Sequence, residues 1–258
     1  MPSLLDKKIA EVLITNLHMF SRTSVLKLYG ECCKDRKILS LPDSVSKIVC
    51  VARNYSDDPK EREVDLNLRM QNASIFMKPP SSIASIEPTI NLSGYSDIIC
   101  ETELALLIGT ALPRMPRGVK STQILDSISG IGLAFDLTRK DLQNRLKTEG
   151  RPWEIAKGFD HACPVSKFCE VSNDGWLNDS IEIKLELNGT VHLKQSTSDM
   201  ILPVLDLINV MTQYFSLLPG DLILTGTPTK PKSPPILKPG DKLHATLGKY
   251  MCIETAVV

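Results

Sequence analysis

The chain has 258 residues, of which 42% are apolar and 23% charged, and its 30 lysines and arginines balance 30 aspartates and glutamates. This composition is typical of a globular protein with a sizeable core. The zero net charge gives no basic surface of the kind that binds nucleic acid or an anionic membrane. No apolar stretch reaches the roughly 18 residues of a membrane-spanning helix. The sequence therefore predicts neither nucleic acid nor a membrane as a partner.

Seven cysteines are scattered along the chain without the repeated short spacings of zinc sites. Most lie in apolar runs, which is typical of buried free thiols and favours a reducing compartment. The pair Cys32-Cys33 instead lies in a polar stretch, where it would be exposed and oxidisable. The N-terminus lacks a secretory pattern. A cytoplasmic location is predicted, and Arg22, Ser24 and Lys27 leave a mitochondrial presequence as the alternative.

Two parts of the chain differ in texture. Residues 1–45 predict a helix from Leu4 to Met19 followed by a polar linker, whereas residues 46–258 hold many short apolar runs between Gly, Pro and Asn. Strands are predicted at 47–52, 74–77, 103–108, 127–135, 181–187, 222–225, 242–247 and 251–257, and helical patterns at 138–147 and 201–215. Asn188-Gly189 after the alternating run 181–187 predicts a hairpin. Together these elements predict a β-rich α+β fold.

Glu101-Thr102-Glu103 is the first candidate for chemistry. Residues two apart on a strand point to the same face, so both carboxylates would project together beside an apolar run. Two close like charges repel each other, and a divalent cation with a preference for oxygen ligands would relieve that repulsion. The alternative interpretation is a pair of solvated charges at the end of a strand.

Three further positions have two interpretations each. Asp136 follows an apolar run and is either a metal ligand or the cap of the helix predicted from Thr138. Lys157 is either a site residue or a surface lysine that extends its ammonium group into water. Thr225-Gly226-Thr227-Pro228 is either a ligand-binding turn or an ordinary exit from a strand.

The order of these motifs resembles that of the fumarylacetoacetate hydrolase family, in its small acylpyruvate hydrolase and oxaloacetate decarboxylase branch. The resemblance covers about residues 46–258. It rests on Arg53-Asn54-Tyr55, Phe76-Met77-Lys78-Pro79-Pro80-Ser81, Glu101-x-Glu103, Asp136-x-Thr138-x-x-Asp141-x-Gln143, Pro152-Trp153 with Ala156-Lys157, Cys163-Pro164-Val165-Ser166, and Gly220-Asp221 with Thr225-Gly226-Thr227-Pro228.

The resemblance implies a catalytic domain over residues 46–258, built as a rolled, mixed β-sheet structure with a few peripheral helices, in a homodimer. It also implies that Glu101, Glu103 and Asp136 hold Mg²⁺ or Mn²⁺, with Ca²⁺ as the alternative, and that Lys157 is a catalytic residue beside the metal. Substrates of the family are small 2-oxo or 2-hydroxy-enoic acids. The substrate-binding residues implied by the resemblance are Arg53, Tyr55, Lys78, Lys140, Gln143 and Thr227.

The resemblance also implies a lid over the site, which begins at Arg53-Asn54-Tyr55 and includes Asp58 and Glu61, and this predicted lid departs from the family pattern. Asp58 stands where the family has a histidine, whereas the glutamate that pairs with it is kept as Glu61. In the hydrolases that His–Glu pair activates water as a general base. An Asp58–Glu61 pair would either titrate in a useful range, because like charges raise a pKa, or be two solvated charges. Lys140 also replaces an arginine and so loses a planar, two-pronged contact with a carboxylate.

Three functions follow from the resemblance. The first is a metal-dependent enzyme, with C–C hydrolysis of an acylpyruvate-type substrate ranked ahead of isomerisation of a hydroxymuconate or heptadienedioate type compound and of oxaloacetate decarboxylation. The second is a metal-binding homologue that has lost hydrolase activity. The third, a purely structural role, is disfavoured because three converging carboxylates are costly to bury without a cation.

Overall fold

The structure is a computed structural model that describes residue 33 and residues 36–172, 175–228 and 232–258. The helix predicted from Leu4 to Met19 lies outside the described residues. Within the described part, no helix is both long enough and apolar enough to cross a membrane.

Fourteen strands and six α-helices make up the described fold. The strands are β1 (Ile38–Leu39), β2 (Ile48–Ala52), β3 (Ser74–Lys78), β4 (Ile83–Ser85), β5 (Thr89–Ile90), β6 (Ile98–Ile108), β7 (Ile128–Arg139), β8 (Cys163–Val165), β9 (Phe168–Glu170), β10 (Glu182–Leu187), β11 (Thr190–Ser196), β12 (Leu222–Leu224), β13 (Lys242–Leu247) and β14 (Met251–Val257). The helices are α1 (Pro59–Glu63), α2 (Leu66–Asn72), α3 (Ser121–Ser127), α4 (Lys140–Thr148), α5 (Glu154–Lys157) and α6 (Val204–Tyr214).

The strands form two sheets. The nine-stranded sheet has the order β1-β9-β7-β6-β12-β2-β3, with β8 pairing β7 and β4 pairing β8, and it mixes parallel and antiparallel neighbours. The five-stranded sheet has the order β11-β10-β13-β14-β5. The predicted β-rich α+β architecture with a few helices is confirmed.

The long pair β6–β7 forms the centre of the nine-stranded sheet. Most residues of both strands are buried whichever face they point to, which explains why their sequences read as nearly continuous apolar runs. The predicted hairpin is confirmed in β10–β11, where Asn188 and Gly189 both have positive φ, as a tight turn between antiparallel strands requires. Strands β13 and β14 occupy the predicted ranges.

Two predictions near the long strands are wrong. The helix predicted from Thr138 begins at Lys140, because β7 continues to Arg139 by pairing with Ile98 at the start of β6. Asp136 therefore lies inside a strand and caps no helix. Residues assigned to a linker contain β1, which pairs with β9 and joins this segment to the sheet.

The cysteine predictions are partly wrong. Cys33 is buried and forms a disulfide with Cys169, 136 residues away, a pairing that local spacing could not have indicated. The burial of Cys33 contradicts its predicted exposure, whereas its oxidation to a disulfide agrees with the prediction that it is oxidisable. Four described cysteines are buried free thiols, as predicted: Cys50, Cys100, Cys163 and Cys252.

Candidate active site

Three carboxylates share one face of the sheet where β6 and β7 pair. Glu101 lies directly opposite Asp136 in the register, and Glu103 is two residues further along β6 on the same face. Only 2% of Glu103 and 1% of Asp136 is exposed. The antiparallel register of β6 and β7 therefore brings Asp136 next to Glu101, a residue of a different motif that lies 35 positions earlier in the sequence.

Lys157, at the end of α5, lies between two of these carboxylates. Its ammonium group donates hydrogen bonds to Glu101 Oε2 and Asp136 Oδ2. Burial alone would lower the pKa of Lys157, but the charges of Asp136 and Glu101 outweigh it and raise that pKa above its ordinary value. Lys157 is therefore a buried ammonium ion and not the solvated surface lysine of the alternative interpretation.

Lys78, at the end of β3, supports Asp136 from the other side. Its Nζ lies 2.8 Å from Asp136 Oδ1 and donates hydrogen bonds to the carbonyls of Ala162 (2.8 Å), Leu137 (3.3 Å) and Lys157. The side chain is buried, and it holds the end of α5 against β7. The predicted contact between Lys78 and substrate stays a prediction.

The two lysines do not neutralise the cluster evenly. Burial would raise the pKa of Asp136, but the ammonium groups of Lys157 and Lys78 hold it below its ordinary value. For Glu103, burial and then the charges of Asp136 and Glu101 raise the pKa well above the usual range. The backbone N–H of Gly226, 2.7 Å from Glu103 Oε2, offsets only part of this. Among the described residues, Glu103 thus lacks a cationic partner of its own.

The donor set fits a hard divalent cation. When all three carboxylates are ionised, they exceed the two ammonium groups by one negative charge, which a bound cation would compensate. Asp136 Oδ1 also accepts no hydrogen bond of normal geometry from the described residues despite its ion pair with Lys78. Oxygen donors of this kind suit Mg²⁺ and Mn²⁺. No preformed cage of three His, Cys, Asp or Glu side chains exists in the described part of the chain, because the Lys157 ammonium stands between Glu101 and Asp136.

The turn after β12 fixes the position of Glu103. Thr225 Oγ1 donates to the carbonyl of Leu104 and Thr227 Oγ1 to that of Thr102, both at 3.0 Å. The turn is therefore bound to β6 on both sides of the Gly226–Glu103 contact. Gly226 has φ +92°, and a Cβ there would lie 2.9 Å from Cβ of Asn54. Both the conformation and the close approach require glycine. The turn is therefore part of the site and more than an exit from a strand.

Asn54 joins the start of the lid to this turn. Its buried side chain donates to the carbonyls of Thr225 (2.8 Å) and Leu202 (3.1 Å) and accepts from the Leu202 N–H at 2.7 Å. On either side, Arg53 is exposed with φ +61°, whereas Tyr55 is buried. Burial and the nearby charge of Glu103 raise the pKa of Tyr55. Arg53 and Tyr55 thus flank a residue that three hydrogen bonds hold in place, and their contacts with substrate stay predictions.

The two carboxylates of the predicted lid, Asp58 and Glu61, lie at helix α1 and, unlike the carboxylates of the site, are exposed to solvent. Asp58 caps the helix, and its Oδ1 accepts the N–H of Lys60 at 2.9 Å. Glu61 lies in the first turn and is exposed, as Asp58 is. Arg62 anchors α1 through the carbonyl of Ser56 (2.6 Å) and Asp199 (3.2 Å). The catalytic roles of Asp58 and Glu61 stay predictions.

One face of α4 lines the approach to Lys157. Lys140, Gln143 and Lys147 are spaced three and four residues apart and so share a helix face. Gln143 is buried, and the Lys147 ammonium lies 5.3 Å from the centre of the Trp153 ring. Lys147 was not among the predicted site residues, although its spacing from Lys140 and Gln143 could have indicated it.

This edge of the site is rich in positive charge. Burial, and then the neighbouring charges of Lys140, Lys157 and Arg53, lower the pKa of Lys147. In the part of the chain that the structure describes, none of Arg53, Lys140 and Lys147 forms an ion pair with a carboxylate. A group of crowded, unpaired cations is suited to binding an anion.

The chain is similar to one described protein family and to proteins of known sequence and structure. Residues 47–258 match the family described as "Fumarylacetoacetate (FAA) hydrolase C-terminal". An Escherichia coli (strain K12) protein, oxaloacetate tautomerase YcgM, is 34% identical over 78% of this chain and 88% of its own length. A Saccharomyces cerevisiae protein, mitochondrial oxaloacetate tautomerase FMP41, is 32% identical over 78% of this chain and 86% of its length.

Two solved structures extend the comparison. A fumarylacetoacetate isomerase/hydrolase from Oleispira antarctica matches with a TM-score of 0.71 and 38% identity, over 84% of this chain and 95% of that chain. Fumarylpyruvate hydrolase from Pseudomonas aeruginosa, in complex with Mn²⁺ and pyruvate, matches with a TM-score of 0.68 over 87% of this chain and 97% of that chain. At 24% identity, this second match shows a shared fold alone.

Proposed function

Because the chain belongs to the fumarylacetoacetate hydrolase family, an enzyme family, we propose that it interconverts the keto and enol forms of a small dicarboxylic 2-oxo acid such as oxaloacetate, with a divalent metal ion. The observation that carries this proposal is the buried ammonium of Lys157 between Glu101 and Asp136. Such a group can give a proton to an oxygen that develops negative charge.

Glu101, Glu103 and Asp136 are the proposed ligands of Mg²⁺ or Mn²⁺, and Ca²⁺ is the alternative. When bound, such an ion acts as a Lewis acid on the adjacent oxygens of an oxo acid. The charge balance of the cluster without metal supports this assignment, because Glu103 has no cationic partner of its own among the described residues.

Lys157 is the proposed catalytic residue. Its raised pKa keeps Nζ protonated at neutral pH, so that it can stabilise an enolate oxygen by a charge-assisted hydrogen bond and deliver a proton to it. Lys78 keeps α5 and Asp136 in place and thereby holds Lys157 in position. Neither role requires a water molecule to be activated.

The two carboxylates of the substrate are proposed to bind at different places. Thr227, at the turn beside Glu103, and the buried Gln143 would hold the carboxylate next to the oxo group. The positive edge formed by Arg53, Lys140 and Lys147 would hold the distal carboxylate. Oxaloacetate has a carboxylate next to the oxo group and a distal one, and it is the compound named in the names of two relatives.

Enolisation fits the lid better than the C–C hydrolysis ranked first from the sequence. Hydrolysis needs a base that activates water, and Asp58, in place of the family histidine, uses its carboxylate to cap α1. Keto–enol exchange instead moves one proton between the carbon beside the oxo group and the oxo oxygen. It consumes no water and so does not need a base that activates water. The homodimer and the cytoplasmic location stay predictions, and the mitochondrial yeast relative supports the alternative location.

The test compares three reactions on purified protein that has been treated with a chelator and then supplied with Mg²⁺. We expect faster conversion of enol-oxaloacetate to the keto form, followed by its ultraviolet absorbance, without pyruvate formation and without loss of an acylpyruvate. Glu101→Gln should lower this rate about 10²–10³-fold, because it removes one of the three proposed ligands of the ion that would stabilise the developing charge. The exposed Glu182→Gln on β10 is the matched control and should have no effect.

Two outcomes would contradict the proposal. Cleavage of the acylpyruvate with no effect on the oxaloacetate tautomers would restore hydrolysis as the function. No rate enhancement with any substrate, combined with calorimetric binding of Mg²⁺ that tightens when oxalate is added, would identify a metal-binding homologue without this activity.

A further inference from the structure

A second cluster of reactive groups lies on the five-stranded sheet, on residues that the proposed reaction does not use. His244 on β13 stands between Cys252 on β14 and Glu186 on β10. Its Nε2 is 3.3 Å from Cys252 Sγ, and its Nδ1 is 3.6 Å from Glu186 Oε2. All three side chains point to the same face, opposite to the buried Leu243, Ala245 and Ile253.

The order thiol, imidazole, carboxylate is the arrangement that activates a nucleophile. An imidazole within hydrogen-bond distance of a thiol can take its proton and leave a thiolate paired with an imidazolium ion. A carboxylate near the other ring nitrogen favours the tautomer whose free lone pair faces the thiol, and it stabilises the imidazolium once formed. Glu186 is suited to this because Lys184, and to a lesser extent His244, hold the pKa of Glu186 below its ordinary value.

The other described free thiols have no such arrangement. Cys50, Cys100 and Cys163 are fully buried, whereas 8% of Cys252 is exposed. Burial raises the pKa of each of these three, to about 12 for Cys163. Buried thiols with raised pKa values stay protonated and inert. The chain therefore carries its own internal reference for an unreactive cysteine.

The charges around Cys252 are nearly balanced. On the same face of the sheet, the described strands contribute the charged groups Glu182, Lys184, Glu186, Lys194, Lys242 and Glu254, in addition to His244. Lys184 pairs with Glu186, and Lys194 pairs with Glu182. Among the described residues, this surface has no strong net charge that would select a charged reagent, which favours an uncharged one.

We propose that Cys252 is a nucleophilic thiol, activated by His244 and positioned through Glu186, and that it is a modification site for small, uncharged, soft carbon electrophiles. In the step, His244 Nε2 takes the thiol proton and the sulfur electron pair forms an S–C bond. The bond from that carbon to its leaving group breaks, and the leaving group departs with its electron pair. With iodoacetamide as probe, iodide is released and nothing is oxidised or reduced.

The experiment treats the full-length protein with iodoacetamide at a series of pH values and follows each cysteine by peptide mass mapping. We expect Cys252 to react before Cys50, Cys100 and Cys163, with a pH midpoint below the value of about 8.5 for an ordinary thiol. His244→Gln should raise that midpoint and slow the reaction at pH 7 about tenfold, because its amide cannot accept the thiol proton. Glu186→Gln should give a smaller change in the same direction.

His192→Ala, on the neighbouring strand β11, is the matched control and should leave the pH profile of Cys252 unchanged. The proposal is overturned if the wild-type and His244→Gln proteins share one pH midpoint. It is also overturned if Cys252, like the three buried thiols, reacts only after unfolding. Because labelling needs neither metal nor substrate, its result is independent of the proposed function.

Discussion

The β6–β7 site and the lid helix α1 use the same types of charged residue in opposite ways. In the site, Lys78 and Asp136 pair at 2.8 Å with side chains that are 0% and 2% exposed. In the lid, Arg62 and Asp199 pair at 3.2 Å with side chains that are 23% and 29% exposed. Water can replace the partner of a charge in the lid, whereas a buried charge depends on the protein alone.

This difference in burial distinguishes charged groups whose removal should destabilise the fold from charged groups whose removal should have little effect on it. The sequence presents both regions as clusters of acidic and basic residues, and only burial distinguishes them. The comparison leads to three predictions, from a broken buried pair to a lost surface cap.

Removal of Lys78 should have the largest effect. Lys78→Met keeps the volume of the side chain and removes hydrogen bonds to three carbonyl groups. Among the described residues, it leaves the buried Asp136 with Lys157 as its one remaining ion-pair partner. We expect the free energy of unfolding of the metal-free protein to fall by about 3–5 kcal/mol, the usual cost of breaking a buried ion pair. Urea unfolding followed by circular dichroism measures it.

Arg62→Met is the matched change in the lid. It also replaces a cation by methionine and breaks an ion pair, but water reaches both partners, so the expected loss is about 0–1 kcal/mol. Equal losses in the two variants would mean that burial does not distinguish the two regions.

Much of the fold could be predicted from the sequence, because the strands carry their own local signals. The alternating run 181–187 with Asn188-Gly189 specified a hairpin, and the bounds of β13 and β14 matched. The end of β7 could not be predicted. Its last residues have a helical pattern, and pairing with the start of β6, about 40 residues earlier in the chain, keeps them in the sheet.

In the site, too, local spacing could be predicted from the sequence and long-range pairing could not. Glu101 and Glu103 could be placed on one face from their spacing, but their position relative to Asp136 depends on the register of β6 and β7. The role of Lys78 could not be predicted, since its partners are three backbone carbonyls and Asp136 from separate elements. The cap made by Asp58 could have been predicted, because an aspartate with proline directly after it and a glutamate three residues after it is typical of a helix start.

The cost of burying the unpaired charge of Glu103 should appear in the pH dependence of the free energy of unfolding. Its pKa in the folded, metal-free protein lies well above its ordinary value, so in the interval between the two the folded state binds a proton that the unfolded state has released. Stability therefore falls as the pH rises through that interval. Asp136 has the opposite sign: its lowered pKa contributes stability that is lost as the pH falls below its ordinary value.

Glu103→Gln removes the ionisation but keeps an oxygen that can accept the Gly226 N–H. At neutral pH without metal we expect the variant to be more stable than the wild type, and this advantage should vanish at pH 4. With Mg²⁺ the order should reverse, because the metal stabilises the wild-type protein alone by binding its folded state. Thermal unfolding at both pH values, with and without Mg²⁺, checks this. A variant less stable than the wild type in metal-free buffer at neutral pH would show that the Glu103 charge is well compensated within the protein.

The smallest effect is expected at Asp58, where the cap and the predicted catalytic role can be separated. Asp58→Ala removes the acceptor of the Lys60 N–H, which costs a helix about 0.5–2 kcal/mol, whereas Asp58→Ser keeps an oxygen at that position. Amide hydrogen exchange at Lys60 should therefore accelerate in the alanine variant and not in the serine variant. Because the lid is solvated, global stability should change little in either, and the tautomerisation rate should stay within about twofold if Asp58 only caps α1. A loss of activity in both variants, the serine one included, would instead assign Asp58 to the chemistry, because serine restores the cap but not the carboxylate.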